Sequence, residues 1–210
     1  MASQTLQLQV CILGWRPETE SHRPLLLFSV EHGVLTAYLR RSPTKAKAPP
    51  PLLDLFDDAE VLLTSSNQGH TWFLQESRVL KRREAIGRSY EALSHASAFT
   101  SIIARNPTVA EGRAELGALI GQALDSFATH EHAPEIVYFK ALYSFARAEG
   151  HPVRQQWAED LQEPLKAKAL LLLHSPLASI PASDDLISAA KHLRRRLEDY
   201  LRGNTEMLIG

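Results

Sequence analysis

Apolar and polar residues alternate almost from the start of the chain. Leu6, Leu8, Val10 and Ile12 are separated by Gln7, Gln9 and Cys11, the two-residue period of a strand with one buried face. A polar stretch with two prolines, residues 16–24, predicts a loop. Residues 25–30 predict a second strand, with Leu26, Phe28 and Val30 sharing a face. Glu31-His32-Gly33 predicts a tight turn, because glycine accepts a positive φ. Residues 34–41 predict a third strand. Leu35, Ala37 and Leu39 point to its core side, and Thr36, Tyr38 and Arg40 point outward. The Pro-, Lys- and Ala-rich run 42–51 cannot hold a strand ladder and predicts a basic loop. Strands at 60–65 and 71–79 follow, joined by the turn-forming cluster Ser66-Asn67-Gln68-Gly69-His70.

Beyond about residue 83 the period lengthens to that of a helix. Residues 89–104 place Leu93, Ala96, Phe99, Ile102 and Ile103 on one side, and Asn106-Pro107 stops the helix. Residues 109–130, with Thr108 as a possible cap, carry the stripe Leu116, Leu119, Ile120, Ala123, Leu124 and Phe127. Pro134 suits the first turn of a third helix, 134–149, ended by Gly150 and Pro152. Residues 165–174 predict a fourth. Residues 183–202 predict a fifth, with Ser183 at its N-cap and Gly203 as its stop. The pattern therefore predicts an α+β chain: a small five-stranded β-barrel or compact antiparallel sheet over 1–83, then an α-helical domain over 84–210.

Composition adds little until charge is placed along the chain. The 210 residues are 44% apolar and 22% charged, with a formal charge of −1, an ordinary balance for a globular protein. That near-zero sum hides clusters. Arg40, Arg41, Lys45 and Lys47 run from the third strand into the loop with no acid among them. Arg78, Lys81, Arg82 and Arg83 close the fifth strand. Phosphate contacts need such a basic stripe, and single strands add aromatic faces for base stacking. Tyr38, Trp72 and Phe73 are the strand aromatics available. A solvated charged surface over core aromatics is the plainer alternative.

The single cysteine, Cys11, forms no intrachain disulfide or Cys-pair zinc site and fits a reducing compartment. The opening residues MASQTLQLQV lack the pattern of a secretory signal. The longest apolar run, 169–173, is too short to span a bilayer. A cytoplasmic protein without a membrane segment is expected. His130-Glu131-His132 has the wrong spacing to set both rings on one helical face, so no metal is expected there. No nucleophile elbow, P-loop or dinucleotide fingerprint is present, and enzyme activity is not expected. Asp54, Asp57, Asp58 and Glu60 are read as solvated, with a hydrolase built on the acids around Asp57 as the weakest option. The third helix sets Tyr138, Phe139, Tyr143 and Phe145 beside Lys140 and Arg147, on more than one face. That describes an interior helix. It also describes a groove with a basic rim, with Lys140, Tyr143, Arg147 and Arg154 placed to take an acidic peptide with a hydrophobic end.

In order, these pieces resemble the RecO family of bacterial recombination mediators. Phe28-Ser29-Val30-Glu31-His32-Gly33-Val34-Leu35 falls on the family's F-[ST]-x-E-x-G-x-[LI] hairpin, and Arg40-Arg41 on the basic strand end after it. FKALYSFARAEGHPV is similar to the helix before the family's "GY-P" turn, with His151-Pro152 in that place. Residues 171–178 resemble an L-L-x-x-P-L segment, and 193–201 a closing L-x-x-x-L-x-x-Y-L helix. Glu18-Thr19-Glu20-Ser21 loosely matches an acidic-Ser pair. Many members carry a four-cysteine zinc knuckle; this chain has none, so zinc and other cofactors are not expected. The resemblance implies an OB-fold barrel followed by a helical bundle. It implies binding of single- and double-stranded DNA, strand annealing and recombinase loading. The implied partners are RecR and the acidic C-terminal tail of the single-stranded-DNA-binding protein. A protein-interaction adaptor, with the barrel as scaffold and the third helix as docking groove, is the alternative.

Overall fold

The computed structural model describes residues 4–40, 53–65 and 69–209. Five strands come first: β1 (Gln4–Trp15), β2 (His22–Ser29), β3 (Gly33–Arg40), β4 (Asp58–Ser65) and β5 (Trp72–Lys81). Five α-helices follow: α1 (Tyr90–Arg105), α2 (Arg113–Thr129), α3 (Pro134–Ala148), α4 (Leu165–His174) and α5 (Asp184–Asn204). The chain divides into two compact units. One is Met1–Arg83 with Val109–Arg113; the other is Glu84–Thr108 with Ala114–Gly210. No helix among the described residues is long and apolar enough to cross a membrane.

The strand order is β1-β2-β3-β5-β4, and β4 pairs back onto β1. All pairs are antiparallel except a short parallel contact between β3 and β5, Ala37 with Trp72 and Tyr38 with Phe73. The alternation in β1 sends Leu8, Val10 and Ile12 inward. They meet Leu25 and Leu27 of β2, Ala37 of β3, Ala59, Val61 and Leu63 of β4, and Leu74 of β5. Leu35 and Leu39 pack partly against this core, so the two faces of β3 divide as the sequence pattern predicts. On β2 the inward pair is Leu25 and Leu27, the alternates of the Leu26/Phe28 set. Strand β2 also begins at His22, inside the stretch expected to be loop. Its register with β1 ends at Trp15–Leu25. Arg16 N still donates to Pro24 O at 3.1 Å, but Pro24 has no N–H to return a bond, so the ladder stops there.

The hairpin turn needs its glycine. Gly33 has φ of +71°, and a Cβ there would sit 3.1 Å from Arg113 Nε. Arg113 Nη1 donates to Glu31 O at 2.9 Å, fastening the turn.

In the helical unit Ser183 accepts a hydrogen bond from Leu186 N as the expected N-cap of α5, and Ser89, expected as the first helical residue, instead caps α1 by accepting from Ala92 N. Helix α2 is shorter than the sequence predicts. Residues Ala110–Gly112 form a 3-10 turn, and the α-helix starts only after Gly112, a poor helix former. The Thr108 hydroxyl donates to Glu149 Oε1 at 2.6 Å. Helix α3 is the interior element: Ile136, Val137, Phe139, Leu142, Phe145 and Ala146 are all buried. Burying each large apolar side chain contributes about 1.5–3 kcal/mol. This helix therefore anchors the unit.

Candidate functional site

The outer face of β2, β3 and β5 gathers aromatic rings. In the β2–β3 register His22 lies opposite Arg40 and Pro24 opposite Tyr38, while Tyr38 pairs with Phe73 of β5. Period-two alternation puts His22, Tyr38, Arg40 and Phe73 on the side away from the apolar interior. Ring centroids are 6.2 Å apart for His22–Tyr38, 5.5 Å for His22–Phe73 and 6.0 Å for Tyr38–Phe73. Tyr38 and Phe73 are half-buried, and Arg40 is exposed beside them. Trp72, the third strand aromatic, turns inward and packs against the sheet core instead. His22 was hidden from the sequence pattern because Pro24 placed it in a loop. Its ring is held by Ser21 Oγ, 2.8 Å from Nδ1. Thr19 Oγ1 accepts from His22 N at 3.1 Å. Arg41, Lys45 and Lys47 lie outside the described residues.

The second basic run is engaged with acids. Arg78 Nη2 lies 2.9 Å from Glu60 Oε2. Arg82 donates from Nη2 to Asp57 Oδ2 at 3.0 Å and from Nε to Asp57 Oδ1 at 3.3 Å. Arg83 grips both oxygens of Asp58, at 2.9 and 2.8 Å, and donates to Phe56 O at 2.7 Å. The acids expected to be solvated and the bases expected to hold phosphate thus close on each other, across the antiparallel β4–β5 pair and the turn before it. Arg83 is 4% exposed, which corrects its assignment to phosphate: it is a structural clasp. Asp57 is fully buried. It also accepts from Asp54 N at 2.9 Å, and Ile12 N donates to its backbone oxygen at 2.9 Å. These bonds hold Phe56 at φ +68°, a left-handed conformation that a bulky residue keeps only when its surroundings fix it. Lys81 is exposed at the end of β5.

The helical unit contains a groove of about 370 Å³ lined by Tyr143 and Arg147 of α3, Arg154 of the turn after it, and Lys166, Leu170 and His174 of α4, among others. Three of the four partner-contact residues predicted from sequence meet here. Burial pushes the Tyr143 hydroxyl above its ordinary pKa, while Arg147 and Arg154 pull the other way. Leu170 is 49% exposed at the groove, so part of the lining is apolar; Arg147, Arg154 and Lys166 make its charged rim basic apart from Glu159. The fourth residue, Lys140, does not line this groove. Its Nζ donates to Leu172 O and, at 2.9 Å, to Ser175 O, capping the C-terminal carbonyls of α4. Burial pulls its pKa below the usual lysine value.

His130 is also accounted for. With φ of +56° it ends α2, and Nε2 lies 2.8 Å from Ala85 O.

No family model matches this chain, and no curated protein matches it.

Proposed function

We propose that the five-stranded unit is an OB-type barrel that binds single-stranded DNA on the outer face of β2, β3 and β5. On this proposal the chain acts as a RecO-like recombination mediator. Bases stack on Tyr38 and Phe73, with His22 extending the platform. Phosphates are held by Arg40 and by the run Arg41, Lys45 and Lys47 that continues it, with Arg78 and Lys81 as further contacts. The observation that carries this reading is the three-ring cluster with an exposed arginine in register beside it. Stacking rings beside a cationic rim is the general solution for sequence-tolerant single-strand binding. The strand order, with its single parallel β3–β5 contact, supports the barrel class. The function extends to double-stranded DNA, annealing of complementary strands and recombinase loading with RecR. The groove at Tyr143, Arg147 and Arg154 takes the acidic tail of the coating protein.

The test is a fluorescence anisotropy titration with a labelled oligonucleotide. Tyr38→Ala and Phe73→Ala are each expected to weaken binding by roughly 1–3 kcal/mol, whatever the base sequence. Unchanged affinity in both variants removes this face as the site.

The groove by itself favours a second reading, an adaptor whose helical unit docks an acidic peptide while the sheet serves as scaffold. Peptide binding that is lost in Arg147→Glu and Arg154→Glu, in a protein with no measurable affinity for DNA, selects that reading.

A further inference from the structure

Away from both surfaces, the helical unit buries a carboxylate in the first turn of α3. Glu135 is 4% exposed. Its Oε1 accepts from Arg194 Nε at 2.5 Å, and its Oε2 lies 3.2 Å from His95 Nε2. Arg194 does not serve Glu135 alone: its Nη1 also holds both oxygens of Glu198 at 3.0 Å. Arg202 is 3.8 Å from Glu198 and 2.7 Å from Asp199. Glu91 precedes His95 by four residues on α1, which places both on one helical face. Donor atoms of Glu91, His95 and Glu135 all lie within 4.8 Å of one another.

The buried carboxylates of this cluster are matched, Glu135 and Glu198 by Arg194, with Arg202 beside Glu198. The unmatched acid is the exposed Glu91, at the α1 end beside His95 and Glu135. Glu91 has no arginine or lysine partner among the described residues.

We infer that Glu91, His95 and Glu135 form a site for a divalent transition-metal ion, with zinc the ion that the donors fit. One imidazole nitrogen and two carboxylate oxygens lie within zinc's usual set of ligands. The metal takes the place of the proton between His95 Nε2 and Glu135 Oε2. Their 3.2 Å separation is about that of two neighbouring ligands in a tetrahedron with bonds of ~2.1 Å. Glu91 is exposed and closes the remaining distance by a change of rotamer. Arg194 fixes the orientation of the Glu135 carboxylate, the role an outer partner plays around a bound metal. His95 also lines a cavity of about 340 Å³ shared with Ser94, Tyr138 and Arg194, which leaves room for water at the fourth position. The site is independent of the DNA-binding proposal.

The test is titration of the full chain with zinc chloride against a chromogenic chelator. One equivalent of zinc is expected to bind. Glu91→Ala and His95→Asn are each expected to weaken it by about tenfold or more, since even outer partners are worth that much. His132→Ala, in the other histidine cluster, is expected to leave it unchanged. Because Glu91 is exposed, its variant keeps the fold, and far-UV circular dichroism of the same sample verifies that. Absence of saturable binding at one equivalent overturns the inference. So does binding that neither Glu91→Ala nor His95→Asn weakens.

Discussion

Charged residues of the same type carry very different burdens in this chain. Arg83 is buried and holds Asp58 through two bonds and Phe56 O through a third. Removing one member of a buried pair strands the other, so Arg83→Ala is expected to destabilise the fold by about 3–5 kcal/mol. Arg78, with 71% of its side chain exposed beside Glu60, is expected to cost less than about 1 kcal/mol on the same change. Urea denaturation of the two variants measures the contrast. Gly33→Ala forces a Cβ into the left-handed region and against Arg113 Nε. It is expected to cost about 1–2 kcal/mol, read as a shift of the same midpoint. At this scale the sequence was half legible. The basic runs could be seen, but their partners could not, because 54–60 and 78–83 are far apart in sequence. Only the β4–β5 register, Glu60 opposite Arg78 and Asp58 opposite Lys81, brings acids and bases together.

Among the elements, most boundaries could be read from periodicity and capping residues. Helix α4 matches its expected range to the residue, and Ser183 is the cap expected for α5. The misses have local causes. Pro24 disguised the start of β2, and with it His22, as loop. Gly112 delayed the start of α2. Helix α3 could be recognised as interior from apolar positions on more than one face, but the partners of Glu135 could not, since they come from α1 and α5. That carboxylate gives α3 a pH dependence. Burial raises its pKa, yet the hydrogen bonds and charges of His95 and Arg194 outweigh burial and hold it below the ordinary 4.5. A depressed pKa stabilises the fold above the unfolded value, and that stability is lost as pH falls through the folded value. Stability of the wild type is therefore expected to decline below about pH 4.5. Glu135→Gln is expected to lose about 3–5 kcal/mol at neutral pH and to decline less on acidification. Urea midpoints across that range test the sign.

At the scale of the whole molecule, the α+β division, strands then helices, followed directly from the change of period near residue 83. What the pattern could not supply was strand order, because the parallel β3–β5 contact joins strands more than thirty residues apart. That contact brings Phe73 to Tyr38 and turns a basic hairpin into a face with stacking rings. The face and the helical groove lie in separate units, so the DNA-binding and partner-binding proposals can fail independently. Arg147→Glu with Arg154→Glu is expected to abolish capture of an acidic, hydrophobic-ended peptide while leaving oligonucleotide affinity within about twofold (about 0.4 kcal/mol, inside the ±0.5 kcal/mol scatter of neutral surface changes); paired titrations check this.

The most direct measurement is the salt dependence of single-stranded DNA binding. Affinity is recorded over a series of salt concentrations for the wild type and for a variant with Arg40, Arg41, Lys45 and Lys47 changed to Ala. Each lost phosphate contact should reduce the slope of log affinity against log salt by about 0.7 on a single strand. A drop approaching four such contacts, with affinity lowered alike for every sequence, is the result expected. A slope and affinity unchanged from wild type would contradict the basic hairpin as a DNA-binding surface.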